Sequence, residues 1–173
     1  MATALPQEDA QQAQVVEDFR SAMSLLASGV TIITSGRGDN RRGLTATAVC
    51  SLTMSPPMIL VCVNCSGEAH AAIEAEGSFC VNILAEEDKP ISDLFAGRQS
   101  LRGAEKFTAA DWTELQTGVP VLAHALVAVD CKVARAVRLE THTIFMGQVE
   151  GVLIGEKRMP LLHFDRRYCS LAG

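Results

Sequence analysis

The chain has 173 residues, 48% hydrophobic and 20% charged, with a net charge of −5 at neutral pH. That length suits one domain with a sizeable core and is short for two. The acidic balance, with a pI near 5.3, excludes the basic footprint of a nucleic-acid binder, and no run is apolar and long enough to span a bilayer.

Residues 1–14, MATALPQEDAQQAQ, are polar and acidic and lack the basic start and apolar core of a signal peptide. They are expected to form a flexible segment ahead of a single domain over 15–173, in a cytoplasmic protein. The slightly positive mean hydropathy points to a buried subunit interface. Six cysteines lie scattered through strand-like segments and read as small core residues of a reducing compartment. Cys62 and Cys65 form a CxxC, but no second pair or histidine pair completes a zinc set, so no metal is expected.

In chain order, Val15, Val16, Phe19, Met23 and Leu26 recur at helical spacing and predict a helix to about Ala27. Val30–Thr34 is a short β-branched strand, followed by a turn over 36–40. Gly43 to Asn64 then reads as two strands joined at Ser55-Pro56-Pro57, the first carrying Thr45, Thr47 and Ser51. Ser66 as N-cap and Gly77 as stop bracket a short helix, whose first amides make an anion site directly after the hydroxyl-bearing strands. Ser78–Leu84 predicts a strand, and 88–95 a helix entered through Pro90. The charged stretch 96–118 reads as a long excursion of the kind that often forms a lid. Val127 to Val133 alternates cleanly as a strand. After a break at Glu140-Thr141-His142, a long strand over 143–154 carries two glycines that suggest a bulge or close approach. Pro160–Phe164 closes the strands, and Asp165 to Tyr168 reads as a polar tail. Many short strands with few helices favour a closed or nearly closed antiparallel barrel.

Hydroxyls of Thr45, Thr47 and Ser51, together with Ser66 and the following amides, suit a phosphate. Threonine as an ordinary strand former, with Ser51 facing water, accounts for the same spacing. His142 at a strand start is a candidate hydrogen-bond donor near neutral pH; His70, His124 and His163 read equally well as structural. No Walker-type or GxGxxG loop, carboxylate pair or Ser/His/Asp order occurs.

The runs Phe19 to Met23, Val30 to Thr34, Gly43 to Ser51, Pro56-Pro57, Val61 to Asn64, Phe79 to Asn82, Thr141 to Thr143 and Phe164 to Tyr168 closely resemble the short-chain flavin reductases that serve two-component flavin monooxygenases. The resemblance covers nearly the whole chain after about residue 18. It implies a split-barrel FMN-binding fold, mainly β with a few peripheral helices, and a homodimer that reduces FMN, or FAD in its place, with NADH or NADPH for a separate monooxygenase. It lays Thr45, Ala46, Thr47, Ala48 and Val49 along the flavin ring. The ribityl-phosphate end falls to Ser51 and the stretch from Asn64 through Cys65, Ser66 and Ala69 to His70, with Cys62, Phe164 and Arg167 also at the cofactor. The nicotinamide-side Gly-Asp-His of relatives appears as Glu140-Thr141-His142, which assigns His142 the catalytic position. Cys65 stands where many relatives carry a lysine or arginine, so the flavin is expected either to exchange as a substrate or to be held by other residues. Reduction of a cobalt corrinoid or ferric iron, and non-catalytic flavin binding, are the competing functions. Steady NADH consumption separates the last from the others.

Overall fold

The computed structural model describes residues 7–171, with side chains from Ala10 onward. Helix α1 (Gln7–Ser24) begins within the segment expected to be flexible, of which residues 1–6 lie outside the described residues. It ends at Ser24 rather than near Ala27, and its predicted apolar stripe faces outward at Val15, Phe19 and Met23, Phe19 at 64% exposure, as does Leu26 just beyond it.

Strands β1 (Ser28–Gly29), β2 (Thr31–Ser35), β3 (Arg42–Ala46), β4 (Val49–Met54) and β5 (Pro57–Asn64) lead to helix α2 (Glu68–Glu76). Strand β6 (Ser78–Ile83), helix α3 (Lys89–Phe95) and strands β7 (Trp112–Glu114) and β8 (Pro120–Leu122) come next. The long strands β9 (Val127–Leu139) and β10 (His142–Ile154) precede β11 (Leu162–Phe164) and β12 (Arg167–Cys169). Seven strands form one antiparallel sheet in the order β3-β2-β6-β9-β10-β5-β4.

The strand predicted from Gly43 onward is thus two strands on opposite edges of this sheet. The chain leaves β3 at Ala46, paired with Thr31, and enters β4 at Val49, paired with Val61. Two residues, Thr47 and Ala48, join the outermost strands, which requires the sheet to roll. Its interior confirms the roll: Ile33 of β2, Phe79 and Val81 of β6, Cys131 of β9, Phe145 of β10 and Val61 and Val63 of β5 share one buried cluster with Ile73 of α2. Leu44 and Val49, from the two edges, pack against the same cluster. The edges β3 and β4 do not pair with each other. The expected barrel is therefore split rather than closed, and the split lies at Ala46–Val49.

A second cluster covers the other face of β2 and β6 with α3, the helical turn over Gly103–Ala109 and β8. The excursion read as a lid is anchored here. Phe107 is buried and meets Phe95 edge-on at 5.1 Å and Trp112 at 4.7 Å. Asn82, fully buried, donates to Ile32 O at 3.0 Å and Thr34 Oγ1 at 3.1 Å and accepts from Leu122 N at 2.7 Å, fastening β8 to the sheet.

Register shifts fall beside both glycines of β10: between Met146 and Gly147, where β9 has the extra residue, and between Val149 and Gly151, where β10 has it. A Cβ on Gly147 would lie 2.6 Å from Phe79 Cζ, so only glycine fits under that ring. The polar tail is instead a hairpin: Asp165 and Arg166 both take positive φ, the geometry of a two-residue turn matched to strand twist, and β12 returns along β11.

Candidate functional site

Small residues at the split leave backbone open on both sides. Thr47 and Ala48 are exposed, and their carbonyls accept from Val49 N at 3.0 Å and Cys62 N at 3.1 Å. Two grooves meet here. One, of about 510 Å³, is lined by Thr47, Ala48, Val49, Cys50, Leu60 and Cys62 with Met23, Ser24 and Leu26 at the end of α1. The other, of about 160 Å³, is lined by Thr45, Ala46 and Thr47 with Arg98, His163 and Tyr168. Thr47 and His163 belong to both.

Thr45 does not offer its hydroxyl to a ligand as the spacing suggests, because it donates to Ser92 O at 2.6 Å. Ser92, fully buried, shares a second hydrogen bond of 2.9 Å with the Tyr168 hydroxyl, and the Arg98 guanidinium lies 5.5 Å over the Tyr168 ring. Strand β3, helix α3 and the C-terminal hairpin therefore form one wall.

A third cavity, of about 330 Å³, lies where β3 meets the start of α2 and is lined by Gly43, Asn64, Gly67, Ala69, Arg102 and Lys106 among others. The cap of α2 is Gly67 in extended conformation and carries no side-chain bond, so Ser66 is not the N-cap. Instead Asn64 Oδ1 accepts from Ser66 N at 2.9 Å and from Ser66 Oγ at 2.8 Å, an Asx-type turn that holds the loop. Glu68 also borders this cavity and is paired with Arg42 at 3.5 Å. Burial lowers the Lys106 pKa from its ordinary value, with Arg102 lowering it further and Glu68 opposing. The Arg102 and Lys106 cations and the Glu68 carboxylate thus border this cavity beside the first turn of α2.

On β5 the burial alternates: Val61 and Val63 point inward, and Leu60, Cys62 and Asn64 outward. Strand β10 pairs His142 with Asn64 and Ile144 with Cys62, so His142 shares the outer face with Cys62 and Ala48. It lies about 7 Å along the strands and about 10 Å across them from Ala48, from standard sheet spacings. Its Nδ1 shares a 2.9 Å hydrogen bond with Thr141 Oγ1.

Ser51, expected at the phosphate end, is exposed on β4 opposite Ile59, whereas Asn64 lies at the other end of β5. Five residues of strand separate those levels, about 17 Å, so Ser51 and Asn64 do not grip one phosphate. His70, expected at the cofactor, is buried at 3% exposure and committed to Thr143. Cys65 is held by its own N–H donating to Thr141 O at 2.9 Å. Phe164 and Arg167 pair across the hairpin tip, Arg167 pointing to solvent beside Asp165; the tip is tied to α1 by Asp165 N donating to Ser24 O at 2.7 Å. Among the described residues no group of three or more His, Cys, Asp or Glu is placed to hold a metal ion.

The sequence reading missed Arg98, Arg102 and Lys106. Their signal was spacing, since they recur every fourth residue within a stretch otherwise without pattern.

The chain matches the flavin reductase like domain over residues 23–172. It belongs to that family. It is 43% identical over 157 residues to the FMN reductase (NADH) RutF of Ancylobacter novellus, covering 91% of this chain and 86% of that protein. It is 40% identical to the corresponding protein of Pantoea ananatis, covering 98% and 88%. Among solved structures, nitrilotriacetate monooxygenase component B from Mycobacterium thermoresistibile superposes with a TM-score of 0.85 at 31% identity, covering 93% of this chain and 89% of that one. The two grooves at the split and the cavity beside α2 thus lie within a flavin reductase like domain.

Proposed function

We propose that this protein is an NADH-dependent flavin reductase that takes FMN and delivers reduced flavin to a separate monooxygenase component. The observation that carries the reading is the Ala46–Val49 crossing, with Thr47 and Ala48 exposed between two grooves, in a member of the flavin reductase like family. Its relatives include the FMN reductase (NADH) RutF and a monooxygenase component B.

The residues fit such a ligand. Ala46 and Ala48 let a planar ring lie against backbone, and the Ser92-anchored wall keeps β3 from moving away. Asn64, the Glu68 and Ala69 amides, Arg102 and Lys106 receive the phosphate. His142, one pair-step beyond Cys62 on the same face, is placed to orient the nicotinamide carboxamide. FMN, when bound, supplies an N5 that accepts the hydride of the nicotinamide C4. The protein's work is to hold the two rings together and keep water out, which needs no acid or base among its side chains.

The outward apolar stripe of α1 and the neighbouring Leu52 and Met54 of β4 support a homodimer covering these faces. Six free thiols support a cytoplasmic setting. The test is oxidation of NADH and NADPH with FMN, FAD, riboflavin and a cobalt(II) corrinoid in turn. Turnover fastest with NADH and FMN is expected; no NADH oxidation with any flavin refutes the reading.

A further inference from the structure

The buried residues of α2 are Ala69, His70 and Ile73, so His70 is its one polar contact with the sheet interior. The ring packs on Phe145 with centroids 5.3 Å apart. Its Nε2 is 2.8 Å from Thr143 Oγ1, and its Nδ1 is 3.4 Å from the Glu74 carboxylate. A carboxylate only accepts, so in the uncharged ring Nδ1 carries the hydrogen and Nε2 accepts from the Thr143 hydroxyl. The Thr143 oxygen then has a lone pair for the Cys65 thiol, 3.5 Å away. The hydrogen bonds run from Cys65 through Thr143 to His70, and the Glu74 carboxylate faces the far side of the ring.

This chain of bonds joins the two halves of the proposed site. Cys65 follows Asn64, Thr143 follows His142, and Asn64 pairs directly with His142 across β5 and β10. Strand side chains alternate in direction, so holding Thr143 inward holds His142 outward on the ligand face. Cys65 N donating to Thr141 O closes the same corner from the backbone.

Resting on the reductase reading above, we infer that His70 is a positioning residue, which sets the Asn64–Gly67 loop and His142 in register with each other without touching either ligand. Removing it lets the loop and the start of β10 move independently, so both ligands bind more weakly while the chemical step, once both are seated, is kept.

The test compares His70→Leu, which fills similar volume without a polar atom, with His70→Gln, whose Oε1 accepts from Thr143. In His70→Leu the KM values for FMN and NADH are expected to rise together by roughly tenfold, the size of a lost buried hydrogen bond, with kcat within about twofold. His70→Gln is expected to restore both. Hydrogen–deuterium exchange on the ligand-free proteins reads the same corner without turnover: segments 64–68 and 141–143 lose protection together in His70→Leu and keep it in His70→Gln. Unchanged exchange in those segments, or a fall in kcat with KM unmoved, overturns the inference. A wild-type protein that consumes no NADH refutes the reductase reading, and the exchange result still decides the role of His70.

Discussion

Gly43 tests whether the wall of the site and the stability of the fold are one structure. A Cβ built there lies 2.7 Å from Phe95 Cε1, 2.9 Å from Phe95 Cδ1 and 3.1 Å from Ile33 O. Phe95 is buried at 3% exposure and locked between Phe107 and Trp112, so the ring cannot swing aside. Edge strand β3 must instead move outward by roughly 0.7 Å to reach ordinary contact, an overpacking cost of about 1–3 kcal/mol. The narrower unfolded ensemble of alanine offsets about 0.4–1 kcal/mol of that. Gly43→Ala is expected to lose about 0.5–2 kcal/mol, a fall in Tm of roughly 2–6 °C for a domain of this size. Gly29→Ala is the control, because its Cβ meets nothing within 4 Å. Thermal unfolding of both variants and FMN titration of each decide the matter. Gly43→Ala should be less stable and bind FMN more weakly, since Thr45 and Ala46 move with β3. A Tm for Gly43→Ala equal to that of Gly29→Ala refutes the reasoning.

Three further outcomes follow from the same geometry. Ala48→Trp places an indole on the crossing and is expected to abolish FMN binding while leaving the fold cooperative; undiminished affinity by fluorescence titration removes Ala48 from the bed. Burial holds the Lys106 pKa below the ordinary lysine value, so its charge is lost at lower pH than usual: FMN affinity should fall on alkalinisation before ordinary lysines titrate, riboflavin affinity should not, and Lys106→Gln should remove the difference. Burial, then the nearby Asp130 carboxylate, pushes the Cys131 thiol up to about 12 and raises Cys80 well above its usual range. Iodoacetamide at pH 8 is expected to alkylate exposed Cys50 and to spare Cys80 and Cys131 until unfolding, read by mass spectrometry.

What could be read from sequence was whatever announces itself locally. The strand at β9, the glycine stop after α2 and the register shifts beside both glycines of β10 stand where spacing put them, but Asp130, on the face expected to be wet, is fully buried and accepts from Thr117 N and Oγ1. The break at Thr47–Ala48 was not legible, because residues 44–54 carry no Gly or Pro to mark a turn. Only the tertiary roll sends its halves to opposite edges. The cations at 98, 102 and 106 recur every fourth residue, but what brings their segment to the site, the Phe95–Phe107–Trp112 contacts, is tertiary. His70 lies between these cases, since its position on α2 was visible and the inward turn that occupies its ring was not.

The split and the candidate bed are one feature, and that gives flavin binding a mechanical consequence. Strands β3 and β4 are the outermost strands of the seven-stranded sheet, and edges open before centres. A ligand seated on Ala46–Val49 contacts the ends of both, so it links the two parts of the barrel that no ladder joins. Ligand at about a hundred times its Kd stabilises by about 2.7 kcal/mol whatever its site. The location of the added protection is what discriminates. Hydrogen–deuterium exchange with and without FMN should show the gain concentrated in β3, β4 and the link between them, with Val127–Lys132 of β9 little changed because that half pairs on both sides already. Equal protection across the whole sheet would mean that the ligand acts only through global stability. Protection confined to the cavity beside α2, with β4 unchanged, would mean that the ring does not lie across the split.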